Sequence, residues 1–457
     1  MLIGIYHGKK SPFDVQRYEI LYTLTARAKM EGDEIIIFDN SGVDLENETI
    51  CGHVRKDGIW IKEKTLFPEV IINVSPPSAK DRTEIEKSLR KKIPFTKNLI
   101  HDKLGFYVLM NKTGKYTKYL IPTKKVDSIK TIEEFINNYQ TVIIKPSKGR
   151  QGKGVIYIEK KKDHYLLIKD QGKKHLHKKE FIKFANKLIA KKYLVQKYVY
   201  CRTEEGFPFD FRIVTQRDGK GNWVLATSYA RIGKDRSLVT ANISRGGMVA
   251  NFKHTLIKEL GLKKADKYEE YIQQLALNIS KHVNKLYKHE IDELGVDIAV
   301  DNNENIWLFE VNTGPSNSTI QWETTPNKLA YAKYLAYLNR INKLKKVDKI
   351  ISNIVKGLVQ IEDDLENGNL EKAVNLTPSL LKGFSSIDRT IMSFTTEPNT
   401  NIYDSTNKIR EGFSNLVYAY ENSNLANAKE TVDYQLVPNF QELSSKIQEI
   451  LRENEHC

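Results

Sequence analysis

Residues 294–316, LGVDIAVDNNENIWLFEVNTGPS, restrict the possible folds more than any other segment. Two apolar runs flank the turn sequence DNNEN, so the segment reads as a strand pair over 295–301 and 305–311. Side chains alternate across a strand, which puts Asp297 and Ala299 on one face of the first strand and Glu310 and Asn312 on one face of the second. A hairpin therefore brings three oxygen donors together. Asp, Glu and Asn are hard donors suited to Mg²⁺, which keeps waters and fills its octahedron with substrate phosphates. A solvated acidic face is the competing reading. It fits poorly, because Glu310 and Asn312 alternate with Phe309 and Val311 at the end of an apolar strand, where a metal or a partner must offset burial.

Upstream, TVIIKPSKGRQGKGVIYI at 141–158 reads as a strand ending in Lys145, a proline turn, and a loop whose Gly149, Gly152 and Gly154 let the backbone approach a ligand closely. Inward-pointing N–H groups and a strand-held lysine suit phosphate oxygens. The spacing is neither that of a P-loop nor that of a Rossmann turn, and taken alone it also describes a flexible hairpin. Between the two segments, PFDFRIVTQ at 208–216 places Asp210 and Arg212 on one strand face, and NISRGG at 242–247 offers Asn242, Arg245 and a glycine pair. Arginines suit phosphate and carboxylate clamps through their planar fork of donors.

Around these motifs the chain divides by pattern. Apolar runs at 2–7, 34–38 and 69–74 with a helical stretch at 14–31 describe a small α/β unit over 1–95. From 96 to 345 the pattern is α+β with mostly antiparallel hairpins: a lobe with the glycine-rich loop over 96–192 and a lobe with the carboxylate hairpin over 193–345. After 346 the apolar spacing is helical only. There LENGNLEKA at 365–373 matches YENSNLANA at 420–428, and Gly357 matches Gly412 at the same offset, so a helical hairpin is used twice.

In order, the strand lysine, glycine loop, FPFDFRI, YARIG, NISRGG and FEVNTGPS resemble the ATP-grasp superfamily over roughly residues 96–340, and within it the endospore coat-associated YheC/YheD branch. The resemblance implies two α+β lobes clasping ATP, with Lys103 and Lys145 on its phosphates and the loop from Ser147 through Lys148, Gly149, Gln151 and Gly152 to Gly154 closing over them. It implies that Gln196, Lys197 and Val199 border the adenine, that Asp297, Glu310 and Asn312 hold Mg²⁺, and that Arg212, Arg231 and Arg245 lie near the γ-phosphate or an acyl-phosphate. The implied reaction is ATP-dependent carboxylate–amine ligation through that acyl-phosphate. Phosphorylation of a hydroxyl uses the same ATP site, and a coat-associated structural role for the fold is a further alternative.

Composition narrows the partners. Residues 347–457 carry 10 Lys plus Arg against 17 Asp plus Glu, and the remainder carries 62 against 40, a basic body followed by an acidic segment. Such a body favours an acidic small-molecule or peptide substrate; nucleic acid is not favoured, since no base-reading motif accompanies the charge. The acidic helices are expected to recruit a partner, present a basic substrate segment or mediate dimerisation. No run of about 20 apolar residues exists to span a bilayer. MLIGIYHGKK is too short for the apolar core of a signal peptide, so a cytosolic location is expected. Cys51, Cys201 and Cys457 show no paired spacing for a zinc site or disulfide framework. His7, His101, His164, His254, His282 and His289 lack a Ser or Cys partner at a recognisable spacing, and no catalytic base stands out.

Overall fold

The computed structural model describes every residue except 9–17, 75–76, 78, 97–99, 101–102, 148–152, 170–171, 190, 288, 316–319, 393–399 and 454–457. Two compact units divide the chain: residues 3–333, and residues 334–457 together with the first two.

The first sheet is built from β1 (Leu2–Tyr6), β2 (Glu34–Phe38), β3 (Val43–Asp44), β4 (Thr49–Lys56), β5 (Ile59–Leu66) and β6 (Val70–Asn73). It runs in the order β3-β4-β2-β1-β6 with β5 on β4. β1 and β6 pair in parallel and are buried along almost their whole length, as the continuous apolar runs of strands covered on both faces require. The β4–β5 hairpin turns at Asp57 and Gly58, whose φ values of 48° and 82° are those of a tight two-residue turn. That Asp-Gly signal between alternating strands is absent from the three-strand reading of this region. Helix α1 (Tyr18–Met30) and α2 (Glu84–Lys92) accompany the sheet, the latter capped by Thr83, which accepts from Glu86 N–H at 3.1 Å.

A second, wholly antiparallel sheet follows α3 (Lys103–Thr113). Its strands are β7 (Thr123–Lys125), β8 (Thr141–Pro146), β9 (Ile156–Lys160), β10 (Tyr165–Lys169), β11 (Gly172–Leu176) and β12 (Tyr193–Lys197), in the order β11-β10-β9-β8-β12-β7. Helices α4 (Ile129–Tyr139) and α5 (Lys178–Ile189) cover it, sharing a core with Val142, Ile144, Ile158 and Val195.

The third sheet orders β13 (Phe209–Arg217), β14 (Trp223–Ile232), β15 (Met248–Asn251), β16 (Glu293–Val300) and β17 (Ile306–Thr313) as β15-β14-β13-β16-β17. Phe211, Ile213, Val296 and Ile298 face α6 (Phe252–Leu260) and α7 (Leu262–Leu286) in the largest core. Full burial of such a side chain contributes about 1.5–3 kcal/mol.

The remaining elements are helical: α8 (Gln321–Glu366), α9 (Leu370–Met392), α10 (Thr400–Glu421), α11 (Leu425–Thr431), a π-helical turn at Val432–Leu436, and α12 (Val437–Glu453). The division between the two units falls inside α8. No helix among the described residues is long and apolar enough to cross a membrane.

Candidate functional site

Alternation on β13 and β16 leaves Asp210, Arg212 and Asp297 on the face turned away from the helices. Arg212 stands opposite Asp297, and Arg231 of β14 stands opposite Asp210. Arg212 forks onto both oxygens of Asp297, with Nη2 3.0 Å from Oδ2 and Nε bonded to Oδ1. Arg231 forks onto Asp210 at 2.6 and 2.8 Å, and its Nη2 also lies 3.0 Å from Asp297 Oδ2. Asp297 is only 4% exposed. Burial by itself would raise its pKa, but the two guanidiniums hold the carboxyl below the usual carboxylate range. Burial would likewise lower Arg231, and Asp210 and Asp297 push it upward instead. Gly295 makes room for this arrangement, since a Cβ there would meet Arg212 at 3.1 Å and Pro315 at 2.8 Å.

A β-bulge then sets the second row. Asp297 pairs with Glu310 and Gly295 with Asn312, but Ile298 pairs with Leu308, so Phe309 is the extra residue. Leu308 and Val311 enter the helix-facing core, while Trp307 and Phe309 pack with Ile121, Val199, Cys201 and Ala299. Simple alternation therefore misplaces Phe309: it does not share a face with Val311, and it lies beside Glu310 on the charged side. Asn312 Nδ2 donates to Asp297 Oδ2 at 3.3 Å.

Two lysines meet this edge. Lys103 opens α3 with Nζ 3.4 Å from Glu310 Oε1. Lys145, on β8, donates to Gln196 Oε1 at 2.8 Å, and the Gln196 amide donates in turn to Thr123 Oγ1 at 2.8 Å. Desolvation lowers Lys145 to about 8, with nearby Lys103 acting the same way and Glu310 opposing. The cluster thus sets four cations, Lys103, Lys145, Arg212 and Arg231, against three carboxylates, Asp210, Asp297 and Glu310.

The other expected residues are distributed around it. Ser147 N–H donates to Lys192 O at 3.0 Å, and Gly154 turns the chain with φ 76°. Lys148, Gly149, Gln151 and Gly152 lie outside the described residues. Lys197 Nζ sits 4.8 Å from the Trp307 ring centroid, and Val199 is buried in the apolar group with Phe309. Arg245 ends the short 3₁₀ turn Ile243–Arg245 and lines a cavity with Lys169 and Lys173.

Sequence reasoning missed the side-chain task of Gln196, which aims Lys145, and the role of Asp210 as the fork that holds Arg231. It also missed a buried support beneath the sheet, where Gln216 Nε2 donates to Glu293 Oε1 at 2.9 Å and Lys328 Nζ lies 3.2 Å from the same oxygen. Asp210 had a signal in its alternation with Arg212. Gln196 and Glu293 had none, because their partners lie 51 and 35 positions away in the chain.

Among the described residues no three His, Cys, Asp or Glu side chains group to hold a metal ion. The donors present are two carboxylates opposite one another and an amide, with Asp297 already engaged by arginines. That set fits a hard cation whose remaining ligands come from bound phosphate, and it does not fit a closed cage made by the protein alone.

The two antiparallel sheets, with a lysine-bearing strand on one and a carboxylate hairpin on the other, define an ATP-grasp fold. Residues 92–339 match the YheC/D like ATP-grasp family model, and the chain belongs to that family. Residues 342–446 match a domain of unknown function, DUF8042. The chain is 24% identical over 332 residues to the endospore coat-associated protein YheD of Bacillus subtilis (strain 168), covering 67% of this chain and 71% of the relative. It is 25% identical over 207 residues to the endospore coat-associated protein YheC of the same organism, covering 44% and 56%. Among solved structures, D-alanyl-alanine synthetase A from Vibrio cholerae is 11% identical, with 74% of this chain and 98% of that chain covered at a TM-score of 0.44.

Proposed function

We propose that this chain is an ATP-dependent ligase that joins a carboxylate to an amine through an acyl-phosphate. The observation that carries the reading is the shortage of negative charge at Lys103 and Lys145. One carboxylate, Glu310, serves both lysines, and the pKa of Lys145 is lowered by desolvation and by its neighbour. A polyphosphate supplies the missing charge. Val199, Ala299, Trp307 and Phe309 form an adjoining apolar shelf suited to a flat base, with Gln196 and Lys197 at its strand edge.

In this reading Lys103 and Lys145 bind phosphate oxygens, with Ser147 and Gly154 at the ends of the covering loop. Asp297, Glu310 and Asn312 would hold Mg²⁺, which when bound neutralises charge on the transferring phosphoryl group. Arg212 and Arg231 fix the Asp297 carboxylate in its ionised form and direct positive potential at the same region, while Arg245 is assigned to the carboxylate or acyl-phosphate end. A substrate carboxylate oxygen attacks the γ-phosphorus as the bond to the bridging oxygen breaks and ADP leaves. An amine then attacks the acyl carbon, inorganic phosphate departs, and the amine proton passes to solvent. Little covalent work falls to the chain; positioning and cationic stabilisation supply the catalysis.

A melting-temperature measurement with millimolar MgATP tests the nucleotide half, because a ligand bound only by the native state raises stability. No shift would sink the proposal. Incubation with MgATP and mixed carboxylate and amine pools, followed by mass detection, tests the chemistry: an amide product with ADP supports ligation, and a phosphorylated hydroxyl in its place identifies a kinase. The names of the two Bacillus relatives make spore extracts the first pool to try.

A further inference from the structure

A cavity of about 260 Å³ lies between Ile168–Lys169 of β10 with Gly172–Lys173 of β11 and the loop that joins β14 to β15. Its lining includes an apolar group, Ile168, Leu238 and Val239, and a cationic group, Lys169, Lys173 and Arg245, with the hydroxyls of Ser237 and Thr240 beside them. No carboxylate is among its described lining residues. Lys169 Nζ lies 4.5 Å from the Phe184 ring centroid, and neither it nor Lys173 makes an ion pair among the described residues. Burial and nearby Lys174 lower the pKa of Lys169, so its ammonium is held where an anion would stabilise it. For scale, a dry protein cavity of about 150 Å³ accepts a benzene ring. This one has room for a larger side chain and a carboxylate.

The loop wall is built rather than incidental. Arg202 donates to the carbonyls of Gly206 at 2.8 Å, Arg236 at 2.8 Å and Leu238 at 2.9 Å, so one guanidinium ties the loop down immediately beside the cavity. Gly247 closes the same loop, since a Cβ there would meet the carbonyl oxygens of Asn242 and Ile232 at 2.8 Å. β11 is the last strand of its sheet, and its residues 172–175 are exposed, with Gly172 and Lys173 at the cavity's rim and Lys174 and His175 beyond it. Between residues 160 and 192 the chain carries twelve lysines against three carboxylates.

We propose that this cavity binds an acidic peptide. An apolar side chain enters between Ile168 and the Leu238–Val239 wall, an adjacent carboxylate meets Lys169, Lys173 and Arg245, and the flanking residues lie along the lysine-rich face. The inference rests on the ligase reading only in making that peptide the carboxylate substrate; binding itself needs no nucleotide.

The test uses the full chain and a fluorescein-labelled peptide of alternating Glu and Leu, read by anisotropy at fixed salt. K169E/K173E is expected to weaken binding by about tenfold or more, as is Val239→Trp, which fills the cavity without changing charge. K263E/K267E makes the same charge change on two exposed lysines of α7, outside the lysine-rich stretch, and is expected to shift affinity by less than about twofold. An all-Glu peptide binds about tenfold more weakly than the alternating one. Equal weakening by both lysine pairs, or unchanged binding in Val239→Trp with its fold intact, would overturn the cavity in favour of a general polyanion surface. Displacement of the peptide by an equimolar amount of free glutamate would overturn the peptide assignment. A MgATP melting shift without peptide binding defeats this proposal alone, and peptide binding without any nucleotide effect defeats the ligase reading alone.

Discussion

The β13–β17 sheet and the helices of residues 334–457 fill their interiors in opposite ways. Among the described residues, all the buried charged side chains, Asp33, Glu86, Asp210, Glu293, Asp297 and Lys328, lie in residues 3–333. The described residues of the helical unit include none. Its centre is the ring cluster of Phe384, Phe413 and Phe440, with centroids 5.6–6.1 Å apart, and two glycines that admit leucines. A Cβ on Gly357 would come within 2.5 Å of Leu380, and one on Gly412 within 2.8 Å of Leu436. Apolar packing is the cheaper route to stability, because a buried ion pair must first offset its own desolvation. Where a fold with ample apolar core also buries linked carboxylates and arginines, those groups are candidates for a role besides stability.

Four experiments break or sharpen that contrast. Asp297→Ala strands the Arg212 guanidinium and leaves Arg231 with Asp210 alone, and is expected to cost about 3–5 kcal/mol by denaturant unfolding, with loss of any ATP-dependent activity; a neutral result would mean the ion pairs are incidental. In the helical unit Gly357→Val forces a side chain against Leu380 and is expected to cost about 1–3 kcal/mol by overpacking. Its MgATP melting shift should remain, so loss of nucleotide binding in this variant would show that the two regions are not separable. Acidity discriminates next. Lys145 is an ammonium below about 8 and an amine above it in the free protein. Nucleotide affinity should therefore fall as pH rises through that value, by about tenfold per unit at most. The unliganded fold should gain stability from about pH 8 toward the ordinary lysine value, since losing the desolvated charge relieves its cost. Lys145→Arg keeps its charge and should flatten the affinity profile. The smallest stability effect belongs to Glu310→Gln, expected at about 1 kcal/mol or less because its pairing with Lys103 is partly exposed. That variant should nevertheless abolish ADP release, and retained activity would remove Glu310 from the chemistry.

The legible parts of this molecule were those written in local pattern. The carboxylate hairpin, the strand that ends in Lys145, the antiparallel character of the middle of the chain and the all-helical end each follow from spacings of a few residues. The matching segments 365–373 and 420–428 both span turns between helices, α8 to α9 and α10 to α11, and the packing differs in one detail: Leu380 follows Gly357 by 23 residues while Leu436 follows Gly412 by 24. The π-helical turn Val432–Leu436 supplies a place for that extra residue in the second copy. The β4–β5 hairpin was legible in principle, from Asp57-Gly58 between alternating strands, and the short strands β7, β11 and β15 were not, since three to five polar-rich residues carry little periodic signal.

By itself the sequence determined which residue types stand on which strand, and hence that Asp297, Glu310 and Asn312 would fall near one another. Only the tertiary structure decided how they divide. Alternation has a period of two along one chain and is blind to a bulge, so it could not put Phe309 beside Glu310 or Leu308 opposite Ile298. Nor does it know a strand's neighbours. That Asp297 answers to Arg212 and Arg231, while Glu310 faces two lysines, is set by cross-strand register and by the meeting of two sheets, where desolvation and nearby charge act over ångströms and not over sequence positions.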